Sequence, residues 1–167
     1  LADRGVDVVC FTADLGQPDE ERVDYIADKM MKCGAKDAHI IDAREDVARA
    51  GLQVIQCMAA YEGGYWNTTG IARHITVKAL LPSMQKEGID IFSHGATGRG
   101  NDQVRFQLVA NMLDPDISVY APWRDQTFLD AFPGRTEMID FCGKHDLPVQ
   151  ASHEKPYSTD ANILGLT

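Results

Sequence analysis

The chain has 167 residues, of which 44% are hydrophobic and 25% are charged. This length and composition are those of a folded protein with a buried core, and they disfavour intrinsic disorder. The formal net charge is −9, and Lys and Arg form no cluster, which argues against extended contact with nucleic acid. No apolar run has the length of a membrane span, and no segment resembles a signal peptide.

The four cysteines are widely separated and have no nearby histidine at a metal-ligand spacing. We therefore expect reduced, buried thiols and a cytoplasmic protein that binds no membrane. The chain begins at Leu1, without methionine and directly ahead of an apolar segment. This start indicates a piece of a longer protein.

The first half of the chain alternates strand and helix signals. Residues 6–12 (VDVVCFT) are short, β-branched and apolar, which is typical of a strand buried on both faces. Acidic residues at 19–21 suit the start of a helix, and Gly34 suits its end. Residues 38–42 predict a second strand, and a second helix is expected over residues 45–60.

The second half continues the alternation. Ile71, Ile75 and Ala79 trace one face of a third helix. The later signals are a strand at 89–93, a helix marked by Val104, Leu108 and Met112, a strand at 117–120 and a helix at 136–145. Strands that alternate with helices predict an α/β, Rossmann-like parallel sheet with helices on both faces. Ligands of such sheets bind beyond the carboxyl ends of the strands.

Residues 94–105 (HGATGRGNDQVR) leave a predicted strand and enter a predicted helix. Three glycines allow backbone N–H groups to approach a phosphate or carboxylate closely. Asn101 or Asp102 can cap the helix, and either residue can equally be no more than a cap. Arg105 can bind a carboxylate or ureido oxygen with two N–H groups, or it can form an ordinary surface ion pair.

Two further stretches combine polar and aromatic residues: residues 65–73 (YWNTTGIAR) and residues 155–162 (KPYSTDAN). Each also has a purely structural interpretation. Thr68 or Thr69 can cap the following helix, and Tyr65 or Trp66 can belong to the core. In the second stretch, Ser158 or Asp160 can be a helix cap. The composition changes at residues 150–156, which predicts a domain boundary there, with one domain at 1–150 and the start of another at 151–167.

Five segments together closely resemble argininosuccinate synthase: residues 12–17 (TADLGQ), 65–73, 93–105, 121–124 (APWR) and 155–162. The resemblance extends over essentially the whole chain. It implies an adenine nucleotide alpha hydrolase-like domain of the N-type ATP pyrophosphatase kind, followed by the start of a synthetase domain. It also implies ligation of citrulline to aspartate through a citrullyl-adenylate, with release of AMP and pyrophosphate, by a cytoplasmic homotetramer.

The resemblance further implies roles for individual residues. ATP would lie against Ala13, Gly95, Thr97 and Asp160; aspartate against Thr97, Asn101 and Asp102; and citrulline against Tyr65, Asn101, Arg105, Ser158 and Thr167. Asp102 and Arg105 would be the catalytic residues. The chemistry of two zwitterions and a polyphosphate needs orientation and charge compensation, so no covalent intermediate on the protein is expected. Mg²⁺ would be held mainly by phosphate oxygens and water, and no metal ligand from the protein is expected.

The chain departs from the family pattern at two places. The Ser-Gly-Gly-Leu-Asp-Thr-Ser loop that cradles pyrophosphate should precede the first strand and is not in the sequence, so we expect this chain alone to be inactive. Gly70 occupies a position where some members have a serine. Two alternatives stay open: another adenylating ATP pyrophosphatase, which would need a glutaminase partner or a basic RNA-binding surface, and a catalytically silent nucleotide-binding or assembly module.

Overall fold

A computed structural model of the chain describes residues 1–18, 23–148 and 161–166. Its helices are α1 (Val23–Lys32), α2 (Arg44–Gln56), α3 (Thr68–Lys86), α4 (Asn101–Leu113), α5 (Gln126–Ala131) and α6 (Arg135–Lys144). Its strands are β1 (Val9–Asp14), β2 (Asp37–Asp42), β3 (Ala60–Tyr61), β4 (Tyr65–Trp66), β5 (Ile91–Ser93), β6 (Ser118–Tyr120), β7 (Ala161–Asn162) and β8 (Gly165–Leu166). Two short 3-10 helices lie at Ala2–Arg4 and Pro122–Arg124.

Parallel pairing defines the architecture. β1 pairs in parallel with β2 after the α1 crossover, and β5 pairs in parallel with β6 after the α4 crossover. The predicted α/β class, with parallel strands and helices on both sides, is therefore confirmed. Within the described residues the strands form four two-stranded sheets instead of one continuous sheet: the two parallel pairs β1–β2 and β5–β6, and the antiparallel pairs β3–β4 and β7–β8. The two parallel pairs share side-chain packing without a shared backbone ladder, since Phe11 of β1 contacts both hydrophobic clusters.

Three predicted element boundaries shift for local reasons. β1 starts at Val9 because Gly5 makes a left-handed turn and Val6 is half exposed. α2 ends at Gln56, before the predicted residue 60, because Met58 adopts a positive φ of 50° and the next residues enter β3. β5 starts later than predicted because the Ile89 N–H still bonds the α3 carbonyl of Met84.

The core lies on both sides of α3. Ile75 and Leu80 join a cluster with β1 and α2, whereas Val77 and Leu81 join a second cluster with β5 and α4. A helix with two buried faces reads as apolar around much of its circumference, as α3 does. The predicted face of Ile71, Ile75 and Ala79 is confirmed, because Ile75 is buried and the other two pack against the first cluster.

The apolar stripe that predicted α4 does not face the core. Val104, Leu108 and Met112 are 53%, 56% and 68% exposed. Val109 and Ala110 are the buried residues of this helix. The helix itself is confirmed, but helical spacing alone does not say which of two apolar stripes is buried. No helix in the described ranges is long and apolar enough to cross a membrane.

Truncation of Leu80 tests the first cluster. Leu80 is 4% exposed, so we expect Leu80→Ala to reduce the free energy of unfolding by about 2 to 5 kcal/mol. Leu52 of α2 is 60% exposed, and the control Leu52→Ala should change the free energy of unfolding by less than about 0.5 kcal/mol. Urea titration of both variants measures the difference. Equal effects would mean that the cluster is misplaced.

Candidate functional site

The candidate site begins where β5 ends. β5 stops at Ser93 and α4 starts at Asn101, so residues 94–100, here called the glycine loop, connect a strand carboxyl end to a helix N-terminus. The Gly100 N–H donates to the Thr97 carbonyl over 3.3 Å and closes the end of the loop. Free N–H groups at a helix N-terminus favour anions. The loop therefore has the position that the parallel fold reserves for ligands.

Gly98 is required by packing. A Cβ at Gly98 would collide with the Trp123 carbonyl oxygen, whereas a Cβ at Gly95 would meet nothing within 4 Å. The Arg124 guanidinium also donates to the Gln103 side chain over 3.3 Å. Residues 121–124 thus form a wall that supports the glycine loop and the first turn of α4. Sequence analysis singled out residues 121–124 (APWR) but did not indicate that they contact the glycine loop.

A methyl group at Gly98 tests this wall. We expect Gly98→Ala to destabilise the chain by about 1 to 3 kcal/mol and to displace the loop, because the opposing atom is rigid backbone. Gly143 lies in α6, and its added Cβ would meet nothing within 4 Å. The control Gly143→Ala should be neutral or stabilising by up to about 1 kcal/mol. Thermal unfolding measures the stability of both variants. A Gly98→Ala variant as stable as the unaltered chain would contradict the close packing of Gly98 against the Trp123 carbonyl.

Asp102 is held by two arginines. Arg105, one turn further along α4, donates to Asp102 Oδ1 over 2.7 Å, and Arg73 of α3 donates to Oδ2 over 3.0 Å. The three side chains are only 21% to 30% exposed. The interpretation of Asn101 or Asp102 as a helix cap is wrong, since Gly100 is the cap residue and no side chain caps this helix. Arg105 does form an ion pair, and that pair lies inside the site.

The two arginines also keep Asp102 ionised. Burial alone would raise the pKa of Asp102, but hydrogen bonds and charge from Arg105 and Arg73 outweigh it and hold the pKa below the ordinary 3.8. A carboxylate whose pKa is lowered by folding contributes stability above its ordinary pKa. That contribution is lost as the pH falls through the lowered value. Asp102 is therefore a fixed anion at neutral pH.

His94 lies at the start of the glycine loop, and sequence reasoning gave it no role. Its ring is 9% exposed and stacks on Phe106 of α4 with centroids 4.9 Å apart. Its Nδ1 accepts the Ala96 N–H over 3.3 Å, which assigns the proton of a neutral ring to Nε2. Burial lowers the pKa of His94 and favours this neutral form. Nε2 is buried and has no hydrogen-bond partner among the described residues.

The segment before α3 differs from the cap prediction. α3 begins at Thr68, so Asn67 holds the cap position, and no side chain caps the helix. The Asn67 Oδ1 atom is buried, has no partner within the described ranges and lies where a Cβ on Gly70 would be. A serine at Gly70 would thus displace Asn67. Tyr65 lies in β4, and its neighbour Trp66 is 40% exposed, so Trp66 is not a core residue.

The carboxyl end of β1 carries Ala13, which is buried. Gln17 folds back over it: its side-chain amide donates to the Ala13 carbonyl over 3.2 Å and accepts the Leu15 N–H over 2.9 Å. The Gly16 N–H donates to Asp14 Oδ1 over 2.8 Å, and Gly16 has a φ of 70°. This turn fixes the backbone at Ala13. Sequence reasoning identified Ala13 but not Gln17.

A charged pair lies beside this turn, at the carboxyl end of β2. Arg44 binds Asp42 through two N–H groups at 2.9 and 2.6 Å and also approaches Asp14 at 3.5 Å. The Arg44 hydrogen bonds lower the pKa of Asp42 to about 2. Within the described part of the chain, no group of three His, Cys, Asp or Glu side chains is placed to hold a metal ion.

The predicted site residues lie on several elements of the structure. Asp102 and Arg105 are in direct contact, and Thr97 and Asn101 lie in the same loop and helix start. Ala13 and Tyr65 lie on other elements, β1 and β4. Ser158, Asp160 and Thr167 lie outside the described residues.

Parallel strands, flanking helices and a glycine loop at a strand carboxyl end define a nucleotide-binding type of α/β domain. Comparison with known proteins specifies the family. The family model for the argininosuccinate synthase N-terminal HUP domain matches residues 1–148, so the chain belongs to the argininosuccinate synthase family. The chain is also 47% identical over its whole length to the argininosuccinate synthase of Rhodopirellula baltica, of which it spans 41%.

Proposed function

We propose that this chain forms the nucleotide- and aspartate-binding part of an argininosuccinate synthase. The observation that supports this proposal best is the ionised Asp102 carboxylate between Arg73 and Arg105, at the helix start behind the glycine loop. A carboxylate beside a guanidinium suits an amino-acid zwitterion, because the carboxylate accepts from an ammonium group and the guanidinium donates to a carboxylate. Such a pair can orient an amine for attack.

The proposed reaction has two steps. The ureido oxygen of citrulline attacks the α-phosphorus of ATP, pyrophosphate leaves, and a citrullyl-adenylate forms. The aspartate amine then displaces AMP and forms argininosuccinate. In the first step Arg105 orients citrulline, together with Tyr65, Asn101, Ser158 and Thr167. In the second step Thr97, Asn101 and Asp102 hold aspartate, with Asp102 accepting from its amine. Holding the reactants in line provides most of the rate enhancement that such sites achieve.

The nucleotide is proposed to lie against Ala13, Gly95, Thr97 and Asp160. The fixed backbone at Ala13 fits this role, because its Gln17 clamp leaves little freedom to lose on binding. Mg²⁺ bound to the phosphates would neutralise charge on the leaving pyrophosphate. In this proposal phosphate oxygens and water supply most of the ligands of the metal.

The proposal extends to organisation. Residues 1–150 would form the nucleotide-binding domain and residues 151–167 the start of the synthetase domain. The complete enzyme would be a cytoplasmic homotetramer. Membership of the family and the shift in composition after residue 150 support this proposal.

The test is pyrophosphate release by the complete product of the gene that encodes this chain. We expect release from ATP and Mg²⁺ only when citrulline is present, and argininosuccinate only when aspartate is added. The variant Arg49→Gln should release pyrophosphate at the rate of the unaltered protein, because Arg49 pairs with Glu45 on an exposed surface of α2. Release without citrulline would favour another adenylating enzyme. Nucleotide binding without any release would favour a silent module.

A further inference from the structure

Arg73 connects α3 to the start of α4 through the Asp102 carboxylate. Its Nε donates to Asp102 Oδ2 over 3.0 Å, across 29 residues of sequence. Its guanidinium also lies over the Phe106 ring, 5.9 Å from the centroid. The side chain is thus held by a carboxylate at its edge and by an aromatic ring at its face.

The packing around Arg73 continues into the glycine loop. Phe106 stacks on His94, and His94 accepts the Ala96 N–H of the loop. On the other side, Ala72 and Ile75 anchor the same stretch of α3 in the core. Arg73 therefore projects from a rigid, buried part of α3, and its position is coupled to the loop through two stacked rings.

Arg105 is held differently. Its hydrogen bond to Asp102 joins neighbouring turns of one helix, and its side chain is 30% exposed against 21% for Arg73. Among the described residues, two guanidiniums share the one Asp102 carboxylate. One guanidinium can leave Asp102 for a ligand and still leave the carboxylate paired. A half-buried carboxylate that lost its only cation would be costly.

We propose that Arg73 is a positioning residue that holds the Asp102 carboxylate from α3, so that Arg105 can release Asp102 and bind a carboxylate or carbonyl oxygen of the ligand. The role of Arg105 in binding the ligand rests on the proposed function. The role of Arg73 in holding Asp102 is a property of the ligand-free chain. The charged groups that face Asp102 within the described residues are Arg73 from α3 and Arg105 from α4.

The first experiment needs no ligand. The pKa of the Asp102 carboxyl is measured by carbon-13 NMR in the 167-residue chain, with Asp102→Asn to assign the signal. In Arg105→Gln we expect only a partial rise of the Asp102 pKa, because Arg73 still donates to Oδ2 from α3 and is the less exposed of the two arginines. In Arg73→Gln we expect the larger rise of the Asp102 pKa, because the contact from α3 is lost, and Arg73→Lys should restore part of the shift. The control Arg49→Gln on α2 should leave the pKa of Asp102 unchanged.

The second experiment separates positioning from ligand contact in the complete gene product. For Arg73→Gln we expect the KM for aspartate to rise about tenfold or more, as for loss of a charged hydrogen bond, with adenylate formation changed much less. Arg73→Lys should recover part of the KM, which a variant that merely disturbs folding would not do.

The proposal is overturned if Arg105→Gln alone brings the pKa of Asp102 to its ordinary value while Arg73→Gln leaves it unchanged. It is also overturned if Arg73→Gln and Arg73→Lys have the same kinetics. If the wild-type enzyme shows no citrulline-dependent reaction, the proposed function fails. The NMR experiment still decides whether Arg73 holds Asp102.

Discussion

Replacing Asp102 by alanine should slow the capture of the adenylate by at least about a hundredfold and slow its formation much less. The aspartate amine enters only in the second step, and loss of one preorganised polar partner typically costs this much. Pyrophosphate release before aspartate is added measures adenylate formation. The appearance of argininosuccinate after aspartate is added measures capture. The complete gene product is the protein to assay.

Asp102→Ala also removes the anion that holds Arg73 and Arg105, so a second variant is needed. Asp102→Asn keeps the shape of the side chain and loses only its charge. It should retain the fold by circular dichroism, and it should still slow capture of the adenylate much more than its formation. Equal slowing of both steps in the folded Asn variant would mean that Asp102 does not bind the amine.

Replacing Arg105 by lysine should raise the KM for citrulline by about ten- to a hundredfold, although the charge is kept. A planar guanidinium can donate two parallel hydrogen bonds, and a lysine ammonium cannot reproduce that geometry. One charged hydrogen bond contributes about 1.5 to 3 kcal/mol, which corresponds to this range. Steady-state kinetics with citrulline varied and ATP and aspartate saturating measures the change.

Arg49 provides the matched control for this substitution. It is an arginine paired with a carboxylate on a helix, as Arg105 is, but it lies on an exposed surface of α2. Arg49→Lys should leave the KM for citrulline unchanged. If Arg105→Lys behaves like Arg49→Lys, then Arg105 is a structural ion-pair partner of Asp102 and does not bind the ligand.

The sequence predicted the fold class and the order of the main elements because hydrophobic periodicity reports local structure directly. It predicted α4 from Val104, Leu108 and Met112, yet these residues are exposed. The buried face of α4 depends on α3, which packs against it and is distant along the chain. Periodicity contains no information on which partner covers a helix.

The same limit applies to the site. Asp102 and Arg105 are one helical turn apart, so their proximity was visible in the sequence. Arg73 lies 29 residues from its hydrogen-bond partner Asp102, and the need for Gly98 arises from the Trp123 carbonyl. These contacts depend on how helices and loops pack, which spacing cannot report. His94 was missed because its importance comes from burial.

The most direct test of the account is a crystal structure of the complete gene product with aspartate, citrulline and a non-hydrolysable ATP analogue. We expect the aspartate amine within hydrogen-bonding distance of Asp102, about 2.7 to 3.2 Å. We also expect Arg105 on citrulline and Arg73 still bound to Asp102. Aspartate bound elsewhere, with the contacts of Asp102 to Arg73 and Arg105 both unchanged, would contradict it.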